Sequence, residues 1–322
     1  MLLDRLGRQS ARHHRLVIAL WILAVVLVSV GKSVVGGSFV DNFTVPGTES
    51  QTAVDLLTER FPAQSGIGAS VVIVSPTGSV SDPAAATAIA QTQAKIESLA
   101  LVSGVEVLPS PTTPNIELLN VQYSGTFDQI GKSGYADLVA ATAPATAGGL
   151  DVNFGGQLTD YAVAPPNSPA DFIGLLLSVV ILIFAFGAIV AAGLPLITAL
   201  FGLAVGVTSI SIIAAFTDVG TVAPLLAIMI GLGVGIDYSL FIVTRHRENR
   251  AAGMEIEDSI ARATGTAGQA VLFAGITVVI AITGLVIAGI PYVSNLGFMT
   301  ALVVFVMMIA ALTLIPALLG AF

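Results

Sequence analysis

The 322 residues include no cysteine, so a disulfide framework and a thiolate metal site are both ruled out and the redox compartment goes unmarked. Charge is also scarce: Asp, Glu, Lys and Arg make up 10% of the chain, against about 25% in soluble domains. Cations are the scarcer sign, with 12 Lys and Arg against 20 Asp and Glu, a net charge of −8 and a pI near 4.7. So few cations cannot neutralise a run of phosphates, which excludes nucleic acid as a partner. The three histidines, His13, His14 and His246, sit among arginines at the edges of apolar runs, where solvated interface residues are expected rather than metal ligands. No metal and no cofactor is expected.

Apolar surface is what the chain has in excess. The hydrophobic fraction is 55% and the mean hydropathy +0.93, more than a soluble core can absorb. Runs at 16–35, 172–190, 194–216, 222–243, 269–290 and 293–319 are each long enough to cross a hydrocarbon core of about 30 Å at 1.5 Å per residue. The sequence therefore predicts an integral membrane protein with six transmembrane helices. The first run lacks the small-residue cleavage pattern of a secretory signal and continues past Lys32, so it is expected to stay as an anchor. Pro195, Pro224 and Pro316 are expected near helix ends, where proline disrupts least.

Charge placement orients the spans. Arg5, Arg8, Arg12 and Arg15 precede the first, and Arg245, Arg247, Arg250 and Arg262 fall between the fourth and fifth, on the same side if all six runs cross. The positive-inside rule puts both clusters in the cytoplasm. Residues 41–171 then lie outside, with Arg60, Lys95 and Lys132 as their only cations against thirteen carboxylates.

That segment is polar enough to form a soluble domain. Thr48 with Gln51 forms a capping-box pattern opening a short helix that ends before Pro62. A strand at 69–75, a helix at 83–99 with Asp82 at its N-cap, strands at 105–108 and 116–123, a helix at 129–141 and a strand at 150–154 complete the order βαββαβ. This is the ferredoxin-like, split βαβ pattern of an α+β fold. The predicted organisation is therefore 1–36, a basic cytoplasmic N-terminus and first span; 37–171, the extracytoplasmic domain; and 172–322, spans two to six, with a cytoplasmic surface helix near 252–267.

Asp237 is the one acid deep inside a predicted span. An ionised Asp at a helix centre costs about 2.5 to 3.5 kcal/mol on insertion scales, so one that persists usually faces a protein interior or a water path. The alternative is a neutral buried Asp, or one reaching toward Arg245 two turns on. Gly233 lies four residues before Asp237, and Gly231 and Gly235 lie seven and three before Tyr238, leaving bare helix surface on which a neighbouring helix can close. Tyr238 suits either proton shuttling or packing.

Competing motifs fail. The glycines are no phosphate loop, because no Gly-Lys-Ser/Thr follows. An intramembrane aspartyl protease would need a second carboxylate, and Asp171 and Asp218 only flank spans. No nucleophile and base pair appears, so no enzyme is expected. Asn42-Phe43-Thr44 matches a glycosylation sequon by chance.

Three stretches, Val45-Pro-Gly-Thr-Glu-Ser-Gln51, the run from Gly231 to Asn249, and Thr266-Ala-Gly-Gln-Ala-Val-Leu-Phe273, make the chain resemble the MMPL (mycobacterial membrane protein large) family of the RND transporter superfamily. The likeness covers the chain as the amino-terminal half of a member: one helix, a porter domain, then five helices. It implies a proton-motive-force-driven exporter of lipid, glycolipid or other hydrophobic substrates in a bacterial inner membrane. It also implies that Asp237 and Tyr238 form the first half of a proton relay. The partners implied are membrane lipids, a lipid-like substrate, protons and a second RND half, either beyond residue 322 or in an oligomer. Where many relatives carry Ser near position 274 this chain has Ala274, which makes Thr277 the candidate for hydroxyl support. Protein-translocation accessories of the Sec-associated RND type and a non-transporting remnant or scaffold are the alternatives.

Overall fold

The computed structural model describes residues 2–37, 39–41, 44–60, 66–110, 112–125, 127–163, 177 and 189–321. Two compact units emerge, Gly47–Ser168 and the pairing of Met1–Pro46 with Pro169–Phe322. In the larger unit, helices α1 (Leu2–Arg12) and α2 (His14–Val35) come first. The smaller unit follows as α3 (Glu49–Arg60), β1 (Ile67–Val74), α4 (Pro83–Glu97), β2 (Val102–Pro109), β3 (Ile116–Tyr123), α5 (Phe127–Ala141), α6 (Ala143–Ala147), β4 (Asp151–Gly155) and α7 (Gln157–Ala162). The larger unit resumes with α8 (Ile189–Ile213), α9 (Ala223–Ala251), α10 (Ile256–Thr283), a 3₁₀ turn at Gly284–Ala288 and α11 (Pro291–Ala321).

Strict alternation builds the sheet. Along β1 every second residue is buried, and Ala69, Val71 and Ile73 have no exposed surface. They pair with β3, with Val71 opposite Leu119 and Ile73 opposite Glu117, and on the other edge with β4. All pairings are antiparallel and the strand order is β2-β3-β1-β4. Ile96 of α4, Leu138 of α5 and Leu158 of α7 close the core over one face. Each such fully buried aliphatic side chain is worth about 1.5 to 3 kcal/mol.

Two local expectations are refined. Asp82 occupies the N-cap position of α4, but its carboxylate makes no cap bond; it turns back to accept the Ser79 N–H at 2.9 Å. Thr48 does accept the Gln51 N–H, at 3.2 Å, while the Gln51 amide donates to Asp55 at 2.8 Å.

Among the described residues, five helical stretches of the larger unit are long and apolar enough to cross a membrane: His14–Val35, Gly193–Ile213, Ala223–Ala251, Ile256–Ala288 and Pro291–Ala321. The sixth expected span, 172–190, lies outside the described residues apart from 177, 189 and 190. Helix α11 is central, packing against α8, α9 and α10. Its small residues Gly297, Ala301, Ala310, Ala311 and Ala317 are all buried, as close helix approach requires. Pro195 stands within α8 and Pro316 within α11, each in the terminal two turns of its helix and so near its end as expected. Gly289, with φ of 68°, adopts the left-handed turn that lets the 3₁₀ segment reverse into Pro291.

The surface helix expected near 252–267 is not a separate element. Residues 256–267 are the opening turns of the continuous α10, and Ser259, Ile260, Ala263, Thr264 and Gly265 are buried there. The cause is α1. A Cβ on Gly7 would stand 2.6 Å from the Thr264 hydroxyl, and one on Gly265 would collide with the Asp4 carboxylate, so the two helices meet at almost backbone distance. Arg8 to Asp258 at 2.7 Å and Arg12 to Glu257 at 2.9 Å flank that contact. Small residues and burial against α1 therefore outweigh the charged, amphipathic character that suggested a free surface helix.

Candidate functional site

Helix α9 positions the two residues singled out above. Pro224 stands in its first turn, where a missing N–H costs nothing, and no further proline interrupts the remaining residues. Its three glycines divide by face. A Cβ on Gly231 would meet Val303 at 2.7 Å and Leu203 at 3.2 Å; one on Gly235 would meet the Met307 sulfur at 2.8 Å and Ala199 at 3.3 Å. These two glycines are where α8 and α11 close on α9. The roughly 1 kcal/mol that each Gly costs a helix relative to Ala is offset by that approach. Gly233 is different, because a Cβ there would meet nothing within 4 Å.

Asp237 lies one turn from Gly233, on the same uncovered face. It is exposed and makes no hydrogen bond or ion pair among the described residues. Leu225, Met229, Gly233, Asp237 and Phe241 recur every fourth residue as one open stripe, with Met229 64% and Phe241 59% exposed. Asp237 is the only charge in it.

Tyr238 points the other way. Adjacent residues on an α-helix are about 100° apart, and Tyr238 is buried in the helical core beside Ile242, Met308 and Leu312. Its hydroxyl has no hydrogen-bond partner among the described residues. The neighbouring Ser239 is fully buried and donates to the Gly235 carbonyl at 2.7 Å. The pair expected to act together therefore occupies two faces of α9. Thr277 is exposed on α10, and its hydroxyl donates to the Phe273 carbonyl at 2.8 Å; no bond brings it to Asp237 or Tyr238.

Past the apolar part of α9, His246 is not the solvated histidine expected. It is half-buried, with Nδ1 2.9 Å from the Ser259 hydroxyl, which itself donates to the His246 carbonyl at 2.9 Å. Asn249 Nδ2 donates to the Ser259 carbonyl at 3.3 Å. These bonds tie the end of α9 to the start of α10. The sequence spacing carried no signal for this tie, because a polar contact thirteen residues apart across a turn has no fixed period.

An exposed carboxylate on an apolar face of a membrane-length helix, with no bond among the described residues, is a group able to bind a proton or an ion. The chain matches the MMPL family over residues 42–322. It belongs to that family, whose members are transporters and not enzymes. It is 32% identical over 327 residues to the membrane protein YdfJ of Bacillus subtilis, covering 99% of this chain and 45% of that one. It is 26% identical over 336 residues to the mycolic acid-containing lipids exporter MmpL11 of Mycolicibacterium smegmatis, covering 99% and 35%. Among solved structures, the hedgehog release protein Disp of the water bear Hypsibius dujardini shares the fold, with a TM-score of 0.52 at 12% identity over 99% of this chain and 49% of that one. The chain thus spans less than half the length of these relatives.

Proposed function

We propose that this chain forms one half of an exporter that moves lipid-like substrates across or out of a bacterial inner membrane and is driven by protons bound at Asp237. The observation that carries the reading is the single carboxylate on the open stripe of α9. Left in hydrocarbon, its charge would cost about 2.5 to 3.5 kcal/mol, so it must be either protonated or covered by protein. Alternation between those two conditions is a transport cycle. A proton crossing 100 mV supplies about 2.3 kcal/mol, close to the cost of exposing the charge once.

The stripe from Leu225 to Phe241 is then the surface on which a second RND half seats, with Gly233 as the point of close approach. Tyr238 supports the relay from the buried side and Thr277 from α10. The second helix, 172–190, supplies the sixth span. The arginine clusters keep the N-terminus and the α9–α10 connection in the cytoplasm, and the smaller unit acts outside as a ferredoxin-like porter domain. The lipid substrate class rests on the activity named for the M. smegmatis relative.

The test is Asp237→Asn in the full-length transporter. The substitution keeps the shape and removes the titrating proton. Export in cells is expected to fall at least about a hundredfold, within the range ascribed to positioned proton transfer, with membrane insertion and melting temperature unchanged. Wild-type export by Asp237→Asn would end the reading. Tyr238→Phe should cost no stability, because the hydroxyl it removes is unbonded.

A further inference from the structure

Between the end of α2 and the smaller unit, the chain is fastened to the end of α8 and to the turn that leads into α9, at the end of α9 opposite the His246 tie. Gly37 N–H donates to the Ser211 carbonyl at 3.0 Å, and Val40 N–H to the Val219 carbonyl at 2.9 Å. Asp41 then grips Thr221 with both carboxylate oxygens: Oδ1 accepts the backbone N–H at 2.8 Å and Oδ2 accepts the hydroxyl at 2.7 Å. The Tyr292 hydroxyl, from the first turn of α11, hydrogen-bonds the same carboxylate. A Cβ on Gly220 would strike the Tyr292 ring at 2.4 Å and lie 3.2 Å from Asp41 Oδ1, so no larger residue fits beneath the grip. Asn295 Nδ2 donates to the Asp218 carbonyl at 2.6 Å, which fixes the same turn to α11. Thr221 stands two residues before the first residue of α9. The carboxylate thus meets the N-terminal end of the helix that bears Asp237, where the helix dipole favours an anion.

The grip adjoins open space. A cavity of about 230 Å³, lined by Val40, Thr217, Asp218, Gly220, Tyr292 and Asn295, gives the turn room to shift. Stability alone does not call for a bidentate carboxylate here, because exposed hydrogen bonds of this kind hold a loop only weakly. What the geometry provides is a link between the segment leading into the smaller unit and the turn that precedes α9.

We infer that Asp41 is a positioning residue for export: it fastens the segment leading into the smaller unit to the N-terminal end of the Asp237 helix, so that a displacement of that helix is carried into that segment. The inference rests on the proton-driven reading above. Breaking the link should leave the proton step intact and lose the work it performs.

The experiment uses the full-length transporter in vesicles, with substrate efflux and proton uptake followed together. Asp41→Ala is expected to cut export about tenfold or more while Asp237-dependent proton uptake and melting temperature stay at wild-type values, a split between binding and turnover that a purely structural role would not give. Asp41→Asn retains an acceptor for the Thr221 N–H and offers an amide to its hydroxyl, and should keep export within about threefold of wild type. Amide exchange at Thr221 reports the grip itself, protected in wild type and Asp237→Asn and unprotected in Asp41→Ala. If Asp41→Ala does not insert, Thr221→Val removes one of the bonds and should give the same split at smaller amplitude. Wild-type export by Asp41→Ala with Thr221 unprotected would overturn the inference, as would parallel loss of export, proton uptake and stability. Wild-type export by Asp237→Asn would instead overturn the function proposed above and leave the amide-exchange result standing.

Discussion

Tyr123 and Tyr238 are both buried phenols whose hydroxyls lack a hydrogen-bond partner among the described residues, one in each unit. An unmade bond on a buried polar group costs about 1 to 3 kcal/mol, so deletion of either hydroxyl should be harmless to folding. Burial pushes the Tyr123 phenol up to about 12, with the Asp137 charge adding to the shift. A phenol whose folded value is raised contributes stability that is complete below about pH 10 and lost as pH climbs from 10 toward 12. Tyr123→Phe is therefore expected to melt at or above the wild-type temperature at pH 7 and to remove that alkaline loss. Melting curves of the two proteins at pH 8 and pH 11 check it; a drop of several degrees at pH 7 would show a hydrogen bond that the structure does not contain. Asp237 was legible in the sequence because one acid in an apolar run needs no context. Its separation from Tyr238 is less visible, since the resemblance to the MMPL family joins the two in one relay, whereas a helix turns neighbours about 100° apart.

At the scale of elements, the glycines of α9 make the sharpest contrast. A Cβ on Gly231 or Gly235 would meet α8 and α11, and one on Gly233 would meet nothing within 4 Å among the described residues. Gly235→Leu would force four carbons against Met307 and Ala199, a cost of at least about 1 to 3 kcal/mol for overpacking, and should lower the melting temperature of the detergent-solubilised protein. Gly233→Leu should leave that temperature unchanged or raise it, because leucine is the better helix former, and should weaken association with a second half, read by cross-linking or light scattering. Equal destabilisation by both would contradict the division of faces. The same packing logic explains why helix α10 begins at Ile256. The charges of 255–258 suggested a surface helix, but Gly7, Thr264 and Gly265 let α1 close over it, and a contact between residues some 250 positions apart is invisible to helical periodicity. Strand positions in the smaller unit were readable from alternation. The strand order was not, because pairing β1 between β3 and β4 depends on tertiary contacts.

For the whole molecule, apolar runs and the scarcity of charge announced a membrane protein, and the residues 42–322 carry the MMPL family's pattern. The proposed topology rests on the arginine clusters and can be tested without reference to transport. These 322 residues hold no cysteine, so a cysteine introduced among them is the single labelling site they offer. Cysteines placed at the exposed positions Ser81 and Ala252 should react with an impermeant thiol reagent from opposite sides of the membrane, and labelling of both from outside would overturn the orientation.

The central claim is that Asp237 binds the proton that drives export. Its most direct measurement is proton movement in sealed vesicles containing the full-length transporter, with an imposed pH gradient and a pH-sensitive dye, as substrate is added. Wild-type protein should show substrate-dependent dissipation of the gradient, and Asp237→Asn should show none while remaining folded and inserted. Substrate-dependent proton movement in Asp237→Asn at the wild-type rate would contradict the account.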